Sequence, residues 1–569
     1  MEVKFKGQNH EIKIWAGESL GRFTAVDTET DFRPFTETPD IVTMQAFDGI
    51  NLYYVPLDLI DSFFKQDSTF MFHNAPFDID VICKHVGDMN YFHSLIEQDR
   101  LRDTLLLYKL VHLATIGHVP FKANLAFLSE KLLNETLTKD ETRENFAQFK
   151  GVEISNIPHN YLDYGARDVL ATYHIYHVLH NLATSSGSST LLSHQIQLVG
   201  ALALNRIYKR GIGFDLEKAQ QKLQELDAEL EYHAAQLMNY GWERGRKGCK
   251  EKYEYIINTY CGVTLPRSES GLMSSKSEDL EPHRDHPFIN SYLKFHELEK
   301  LSSFIREVKD DRIHPRYNPI LNTGRTSCSS PNFQQLPREG GIRELFVAKP
   351  GHTFIITDYS AIELATLAQV NYTRYGFSKM RDMINDGVDL HKYYASVMNE
   401  CSLEEVTKQM RQEAKAANFG FPGGLGIETF IEFSKGYGLD ISVSKAQEMK
   451  DVWFTAFPEM EHYMNEKEHD EATWTLSGRK RANASFCARK NTPFQGAACD
   501  GAKLALYELD RNGFDVTGFV HDEVISEVPV HLAQQKQTEQ ERIMIEQMSI
   551  ICPDVKISVE SMISGVYTK

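Results

Sequence analysis

Two groups of acidic residues lie far apart in this chain of 569 residues, and each has the composition of a site for divalent metal ions. The first contains Asp27 and Glu29, directly after an apolar pair. The second is divided between Asp358 and Asp522, each at an apolar run of β-strand type. Carboxylates that converge from strand ends can hold two Mg²⁺ ions, which stabilise the attacking and leaving oxygens of a phosphate displacement. The sequence therefore indicates phosphoryl transfer at two separate places.

A further acidic residue pair and a tyrosine extend the N-terminal group. Asp78 follows the apolar segment 69–72. Tyr164 and Asp168 are four residues apart in a helical pattern, so they share one helix face. Four carboxylates and one phenol could bind two metals and orient an attacking water. Each piece alone has a structural alternative, because such residues also occur at solvated strand ends and on exposed helix faces.

The C-terminal group has a basic helix between its two carboxylates. At about 100° per residue, one face of the predicted helix carries Arg411, Lys415, Asn418 and Phe419. Two cations and an aromatic ring suit a triphosphate tail and a base that stacks on the ring. The alternative is a solvated basic stripe with one phenylalanine in the core.

The residues next to both carboxylates also have structural interpretations. Asp522 follows His521 at the tip of a predicted β-hairpin, where an aspartate often serves the turn alone. Asp358 is followed by Ser360 and Glu363, and this Ser-x-x-Glu spacing is also that of a helix capping box. Glu363 is therefore either a ligand-facing residue or the capping partner of Ser360.

The spacing of apolar residues predicts the elements that position these groups. An alternating pattern at 23–26 predicts a strand, and helical patterns follow up to residue 183. Residues 184–190, Thr-Ser-Ser-Gly-Ser-Ser-Thr, have the composition of a flexible linker. Residues 191–240 predict two long amphipathic helices joined at the Gly-Ile-Gly of 211–213.

The composition favours a soluble intracellular protein of several domains. The eight cysteines form no CxxC pair, which favours free thiols over a disulfide framework or a zinc site. No apolar run has membrane-spanning length. The net charge of −18 argues mildly against nucleic-acid binding. The basic clusters at 244–252, 479–481 and 489–490 are either local contacts for nucleic acid or solvated surface patches.

The order of the N-terminal motifs resembles that of a known nuclease class. Asp-Thr-Glu-Thr at 27–30, Asn-x-x-Phe-Asp at 74–78 and Tyr-x-x-x-Asp at 164–168 resemble the motifs of DEDD-type 3′–5′ exonucleases with tyrosine in the third motif. Residues 1–183 are similar to the proofreading domain of family A DNA polymerases. The resemblance implies as metal ligands Asp27, Glu29, Asp78 and Asp168. It implies that Tyr164 orients the attacking water, and that Asp103 has either a supporting or a plain helix N-terminal role.

The C-terminal motifs resemble the polymerase domain of the same family. Asp-Tyr-Ser-Ala-Ile-Glu-Leu at 358–364 is similar to motif A, Arg-x₃-Lys-x₃-Phe-Gly at 411–420 to motif B, and Val-His-Asp-Glu at 520–523 to motif C. Four further segments match in order, at 323–337, 389–391, 475–479 and 491–496. The resemblance therefore extends over nearly the whole chain.

The polymerase resemblance implies roles residue by residue. The two catalytic metals are expected on Asp358 and Asp522, with Glu523 beside them. The residues expected at the incoming nucleotide are Arg411, Lys415, His391, Phe419 and Glu363, the last against a ribose 2′-hydroxyl. The residues expected at the primer–template are Arg325, Asn491, Gln495 and His521. Lys415 and Glu523 are also expected to take part in catalysis.

Three positions depart from the family pattern. Ala361 stands where glutamine is usual, Ala365 where arginine is common, and Gly423 where most members have tyrosine. That tyrosine normally packs at the template side of the insertion site. Its replacement bears on how the new base pair is checked.

The predicted fold is a multidomain α/β and α+β arrangement, in which a ribonuclease H-like exonuclease domain precedes a right-hand polymerase. The expected divisions are an exonuclease domain at 1–183, a linker at 184–190, a thumb at 191–312, a first palm part at 313–370, fingers at 371–485 and a second palm part at 486–569. No 5′-nuclease domain is expected ahead of the exonuclease.

The predicted function is template-directed DNA synthesis from dNTPs with 3′–5′ proofreading, using two Mg²⁺ or Mn²⁺ ions per active site. The expected partners are primer–template DNA and dNTPs and no membrane, and the sequence identifies no processivity factor. A monomer in the cytoplasm of a phage-infected bacterium is expected. One alternative is a 3′–5′ exonuclease with a degenerate polymerase hand, against which the intact Asp358, Lys415 and Asp522 argue. The other is a non-catalytic nucleic-acid scaffold, against which both carboxylate groups argue.

Overall fold

The structure is a computed structural model that describes residues 2–88, 91–137, 145–186, 189–268, 271–337, 340–466 and 471–568. An N-terminal mixed sheet covered by helices is followed by a helical region and then by an antiparallel sheet with further helices. In the described part of the chain, every helix is too short or too polar to cross a lipid bilayer.

The N-terminal sheet has seven strands within the described residues. They are β1 (Glu2–Phe5), β2 (Gln8–Ile14), β3 (Phe23–Thr30), β4 (Ile41–Phe47), β5 (Leu52–Val55), β6 (Thr69–Phe72) and β7 (Leu101–Asp103). Their order is β1-β2-β5-β4-β3-β6-β7, and β3 is antiparallel to β4 and parallel to β6. The strand that carries Asp27 and Glu29 is therefore held on both sides.

Helices cover this sheet and carry the remaining acidic motifs. They are α1 (Ile60–Phe64), α2 (Ala75–Val86), α3 (His93–Glu97), α4 (Thr104–Ile116), α5 (Leu125–Leu128) and α6 (His159–Ser186). α6 packs across β3 and β4. The approach is close at Gly165, where a Cβ atom would lie 2.4 Å from Nε2 of Gln45 on β4. Glycine at this position therefore lets α6 bring Tyr164 and Asp168 down onto the sheet.

The flexible linker expected at 184–190 is helical wherever the structure describes it. Residues 184–186 form the end of α6, and α7 (Ser189–Arg210) begins after residues 187 and 188, which lie outside the described residues. Ala183 is fully buried, so this end of α6 is held by packing that composition alone does not reveal. The described residues of this segment are therefore helical, and its assignment as the linker between domains stays a prediction.

Two long helices follow, as the periodicity of residues 191–240 predicts. α7 and α8 (Leu216–Asn239) are separated by β8 (Ile212–Gly213), which pairs with β9 (Arg312–Ile313). The other helices between these strands are α9 (Cys249–Ile256), α10 (Ser277–Leu280) and α11 (Pro287–Glu307). α8 and α11 lie against each other, and the far end of the pair has its own apolar cluster, which includes Trp242 and Tyr253. This helical arm is the region expected to be the thumb.

The C-terminal half contains the second sheet and most of the remaining helices. Its strands are β10 (Arg316–Asn318), β11 (Ser327–Ser329), β12 (His352–Tyr359), β13 (Thr473–Trp474), β14 (Lys480–Arg481), β15 (Asp515–Val520), β16 (Glu523–Pro529) and β17 (Val559–Ser564). Its helices are α12 (Ile362–Tyr375), α13 (Lys379–Asn385), α14 (Leu390–Met398), α15 (Lys408–Gly420), α16 (Ile427–Lys435), α17 (Val443–Ala456), α18 (Glu459–Asn465), α19 (Phe486–Arg511) and α20 (Ala533–Ile551).

The second sheet brings the two C-terminal acidic segments together. Its order is β15-β16-β12-β17, and all neighbouring strands are antiparallel. The turn between β15 and β16 is the two-residue tip that contains Asp522, so the predicted hairpin is confirmed. β12 pairs directly with β16, and Asp358 lies opposite Glu523. Asp358 and the Asp522–Glu523 pair are far apart in the chain, but the pairing of β12 with β16 brings them close together in the fold.

α7 connects the two halves of the molecule. It packs against α2 and α4 on the N-terminal side and against α19 on the other. Arg206 on α7 forms ion pairs with Asp80 of α2, at 3.6 Å, and with Asp510 of α19. The predicted thumb range of 191–312 therefore begins within α7, a helix that contacts both halves of the molecule.

The basic cluster at 479–481 is part of the same junction and is not a solvated patch. The backbone N–H of Ala482 donates to the carbonyl of Leu113 at 3.1 Å. Nε of Arg481 donates to the carbonyl of Gly117 at 3.2 Å, next to the end of α4. The last carbonyls of a helix carry partial negative charge, so a cation and N–H donors stabilise this end. Arg479 is 1% exposed and lies inside the C-terminal half.

Candidate active sites

Three carboxylates of the N-terminal group converge in the structure. One oxygen each of Asp27, Glu29 and Asp168 lies within 4.8 Å of the others. β3 supplies the first two, and α6 supplies the third. Like charges this close repel one another strongly in a partly buried place. An all-carboxylate set of this kind fits Mg²⁺, which prefers oxygen ligands and would neutralise the repulsion.

Asp78 lies beside this trio and is held by the same strand. Its carboxylate is 3% exposed and accepts hydrogen bonds from the N–H and the hydroxyl of Thr28, at 3.1 and 2.7 Å. Burial, and then the charge of Asp27, raises the pKa of Asp78 well above its ordinary value. A cation bound nearby would favour the ionised form of this carboxylate. The four acidic residues predicted from the motifs thus form one group.

Two residues around this group have clear supporting positions. Tyr164 precedes Asp168 by four residues on α6, so both side chains are on the same face. Asp103 is the N-cap of α4, and it also accepts a hydrogen bond from the N–H of Ala75 at 2.9 Å. Of its two interpretations the helix N-terminal one is confirmed, and the same carboxylate ties down the start of α2, the helix that carries Asp78.

The C-terminal carboxylates form a second group. Asp522 follows His521, whose φ of +61° makes the tight turn between β15 and β16. Burial, and then the charge of Asp358, raises the pKa of Asp522 to about 7. Glu523 is 6% exposed and accepts a hydrogen bond from the hydroxyl of Tyr567 at 2.8 Å. A partly buried aspartate pair that repels when both members are ionised again fits a divalent cation.

The metal-free protein should become less stable as the pH rises. The pKa of Asp522 is about 7 in the folded state and about 4 in an unfolded chain. The folded state therefore binds more protons between these values, and the free energy of unfolding falls as pH increases across that window. We expect Asp522→Asn to remove part of this loss. Thermal unfolding of both proteins in a metal chelator, at about pH 5 and about pH 8, measures this loss of stability. An equal loss in the unaltered protein and in Asp522→Asn would contradict the prediction.

The capping-box interpretation of Glu363 is wrong. α12 begins at Ile362, and its N-cap is Ala361, which has a φ of +49° and makes no side-chain capping bond. Ser360 is therefore one position too early to cap this helix. The carboxylate of Glu363 instead forms an ion pair with Arg325. The resemblance implies different ligands for these two residues, the nucleotide sugar for Glu363 and the primer–template for Arg325. In the structure they contact each other.

A buried polar network lies beneath Arg325. Two of its members, Asp500 and Lys503, are not among the residues predicted from the sequence motifs. Nζ of Lys503 donates to the carbonyl of Gly324 at 2.8 Å. Arg479, which is paired with Asp500 at 2.5 Å, donates to the carbonyl of Thr323 at 3.3 Å. Both side chains of that pair are almost fully buried. The signal in the sequence is the Asp-x-x-Lys spacing on α19, which places a carboxylate and an ammonium on one helix face.

The predicted basic face of α15 is only partly exposed. Arg411 pairs with Asp389 at 2.8 Å, and Lys415 is partly exposed. The ring of Phe419 is also partly exposed, and its centroid lies 5.4 Å from that of His391. Asn418 is the inward-facing member, at 1% exposure. The residue that belongs to the core is therefore the asparagine and not the phenylalanine.

The replacement of tyrosine by Gly423 has a steric explanation. A Cβ atom on Gly423 would lie 2.7 Å from Nδ2 of Asn491 on α19. Asn491 donates to the carbonyl of Cys487 at 2.9 Å, and Gln495 donates to Oδ1 of Asn491 at 3.5 Å. A larger residue at position 423 would displace this asparagine. Asn491 thus occupies the place that the Cβ atom of a larger residue would need.

The family resemblance implies that Glu363 lies against the nucleotide sugar, and on that prediction Glu363→Ala should increase ribonucleotide incorporation by about tenfold to a hundredfold, because the shorter side chain would leave space for a 2′-hydroxyl. Glu363→Gln keeps the volume and loses only the ion pair with Arg325, so it should stay selective. Competition between a ribonucleotide and its deoxy counterpart measures the ratio. If Arg325→Ala and Glu363→Gln relax selectivity as much as Glu363→Ala does, the ion pair and not the bulk of Glu363 is responsible.

Comparison with protein families identifies both halves of the chain. Residues 216–568 match the family described as DNA polymerase family A, and residues 17–183 match the family described as 3′-5′ exonuclease. The first match spans the helical arm, the antiparallel sheet and the helices between them. The second spans β3, α2 and α6, which carry the N-terminal carboxylates.

Individual relatives agree with this assignment. DNA polymerase I of Aquifex aeolicus is 33% identical over 325 residues, which cover 54% of this chain and 56% of the relative. The thermostable DNA polymerase I of Thermus aquaticus is 31% identical over 300 residues, covering 47% of this chain and 35% of the relative. The matched segment thus spans about half or less of each relative's length.

A solved structure shows the same fold. The POL domain of Pol1 from M. smegmatis, in complex with DNA primer-template and dNTP, superposes with a TM-score of 0.74 at 21% identity. The match covers 96% of both chains. The two families together account for both acidic groups and for the elements that position them. This chain is therefore a member of DNA polymerase family A that carries a 3′–5′ exonuclease domain ahead of its polymerase domain.

Proposed function

We propose that this protein copies DNA from a primer–template and removes mispaired nucleotides from the primer 3′ end. The observation that carries the proposal is the presence of two separate acidic groups, each fitted for divalent cations. One joins β3, α2 and α6, and the other joins β12 to the turn before β16. Two Mg²⁺ ions at each group, when bound, would supply positive charge beside the reacting phosphate.

In synthesis, the chain's own residues bind and orient the nucleotide. Arg411 and Lys415 project from α15 and would hold the triphosphate, with His391 beside them. Phe419 would lie against the sugar, and Glu363 would exclude a ribose. Arg325 would contact the primer–template near its end, and it is held by its ion pair with Glu363 and by the buried network beneath it. The other residues at the primer–template would be Asn491, Gln495 and His521. Asp358 and Asp522 would hold the metals, with Glu523 behind them.

In editing, the N-terminal residues would bind the primer 3′ end. Asp27, Glu29, Asp78 and Asp168 would hold the metals. Tyr164, one turn before Asp168 on α6, would orient the attacking water through its hydroxyl. Thr28 would position Asp78 through its hydrogen bonds to that carboxylate, and Asp103 would hold the start of α2, the helix that carries Asp78.

The cellular setting is also a proposal. Relatives of matching sequence are bacterial DNA polymerase I proteins, which supports action on DNA and dNTPs in a bacterial cytoplasm. Replication of a bacteriophage in such a cell stays a prediction, as does the monomeric state. The domain divisions proposed from the sequence likewise stay predictions.

Primer extension on one labelled substrate tests the function. With Mg²⁺ and dNTPs the primer should lengthen, and without dNTPs it should shorten from its 3′ end. Shortening under both conditions would favour a nuclease with an inactive hand. Gel retardation with no change in primer length would favour a scaffold that only binds DNA.

We expect Phe419→Tyr to reduce discrimination against dideoxynucleotides by about tenfold or more, while normal extension stays nearly unchanged. A phenyl ring has no hydroxyl with which to replace a missing 3′-hydroxyl, whereas tyrosine has one. The ring of Phe419 is partly exposed, so the added hydroxyl need not be buried. Competition between a dideoxynucleotide and its normal counterpart measures the ratio. An unchanged ratio would remove Phe419 from the nucleotide site.

A further inference from the structure

The side-chain amide of Asn418 has a fixed orientation. Its residue is 1% exposed, so both ends of the amide must find partners inside the protein. Nε1 of Trp453, on α17, donates to Oδ1 at 2.9 Å, and an indole N–H can only donate. The carbonyl of Leu390, which can only accept, lies 3.3 Å from Nδ2. The two neighbours demand the same orientation, with the oxygen towards Trp453 and the NH₂ group towards α14.

This orientation determines where His391 carries its proton. Nδ1 of His391 lies 3.0 Å from Nδ2 of Asn418. Because the NH₂ group only donates, Nδ1 must be the bare, accepting nitrogen of the imidazole. A neutral imidazole with a bare Nδ1 carries its hydrogen on Nε2. Among the described residues, no hydrogen bond engages Nε2, so this N–H is left for a ligand.

The surroundings of His391 also keep the ring neutral. The residue is 5% exposed, and burial lowers the pKa of His391 to about 4, against the opposing charge of Asp389. The carboxylate of Asp389 is occupied by the N–H groups at the start of α14 and by Arg411. Arg411 and Lys415 further disfavour a charged ring. Near neutral pH the ring is therefore neutral.

We propose that Asn418 and Trp453 are positioning residues that hold His391 as the Nε2-protonated tautomer, so that Nε2–H donates to an anionic oxygen of the incoming triphosphate. The proposal rests on the polymerase function proposed above. A chain of hydrogen bonds across three helices, α17, α15 and α14, then turns His391 into a directional donor. It contributes a hydrogen bond without adding a third positive charge beside Arg411 and Lys415.

The tautomer can be read directly from ¹⁵N spectra of protein labelled at its histidine side chains, recorded without substrate. The His391 signals are those that His391→Gln removes. In the unaltered protein at about pH 8 we expect a bare Nδ1 and a protonated Nε2. In Asn418→Asp an accepting oxygen replaces the NH₂ group at nearly equal shape, so Nδ1 should gain a proton. A protonated Nδ1 in the unaltered protein, or a bare Nδ1 in a folded Asn418→Asp variant, would overturn the proposal.

Trp453→Phe provides a second variant, which decides the matter if Asn418→Asp does not fold. Without the indole donor only the carbonyl of Leu390 still favours this orientation of the amide, so the second tautomer of His391 should become detectable beside the first. Trp474→Phe is the matched control, since this tryptophan lies on β13 and is 42% exposed. It should leave the His391 signals unchanged. A single unchanged tautomer in Trp453→Phe would contradict the role of Trp453.

Kinetics then connect the tautomer with the nucleotide. For Asn418→Asp we expect the KM for dNTP to rise by about tenfold, the loss of one charge-assisted hydrogen bond. For Trp453→Phe, in which part of the molecules keep the Nε2–H donor, the rise should be smaller, about twofold. The kcat should change less. A purely structural role would lower the melting temperature without moving the tautomer. If the tautomers behave as expected but no primer is extended by the unaltered protein, the proposed polymerase function fails and the hydrogen-bond relay stands.

Discussion

Asp522→Asn should reduce primer extension by about 10³-fold or more and leave 3′–5′ degradation intact. Asp522 sits at the tip between β15 and β16, where the charge of Asp358 already acts on it. An amide in place of the carboxylate removes one anionic ligand from the group that would hold both metals. Loss of a single preorganised electrostatic contact costs about 10²–10³ in rate, and a shared metal ligand should cost at least as much. Single-turnover extension with Mg²⁺ measures the change.

The matched control for this variant is Asp515→Asn on the same hairpin. Asp515 is half exposed and pairs with Arg210 and Lys349, so its loss removes a carboxylate outside the active site. Extension by this control should stay within a few fold of the unaltered protein. Asp358→Asn should behave like Asp522→Asn. Loss of both activities together in a folded Asp522→Asn protein would contradict two separate sites.

The convergence of the acidic groups could be predicted from the sequence, because each carboxylate is tied to an element with a simple period. Asp27 and Glu29 close an apolar strand pattern, and Asp168 follows Tyr164 at helical spacing. The hairpin with Asp522 at its tip shows the alternation expected of paired strands. The order of these motifs then identified which carboxylates should meet, and the trio within 4.8 Å confirms this for the N-terminal site.

Other features depend on packing between distant segments and left no local signal. The linker composition of residues 184–190 indicates flexibility, but buried Ala183 shows that α6 continues into it. Ser360 and Glu363 have capping-box spacing, yet the positive φ of Ala361 moves the helix start by one residue. The Asp-x-x-Lys spacing on α19 places Lys503 beside Asp500, but the hydrogen bond of Lys503 to the carbonyl of Gly324, far away in the chain, depends on the fold.

Asp27→Asn combined with Glu29→Gln should abolish shortening of the primer 3′ end and leave extension nearly unchanged. These residues and Asp168 hold their oxygens close together on β3 and α6, so the double change removes two of the three negative charges. We expect the exonuclease rate to fall by about 10³-fold or more, on the same electrostatic grounds as at the other site. Neutral side chains of equal size should preserve the strand, because the repulsion within the group decreases.

The test of this second variant is a mismatched primer in the presence of dNTPs. The unaltered protein should trim the mismatch and then extend, whereas the double variant should stall or extend with the mismatch retained. Asp163→Asn is the matched control on α6, since Asp163 pairs with Arg167 at 2.6 Å and is not among the predicted ligands. It should trim normally. A double variant that still trims would contradict the assignment of Asp27 and Glu29 as ligands of the exonuclease metals.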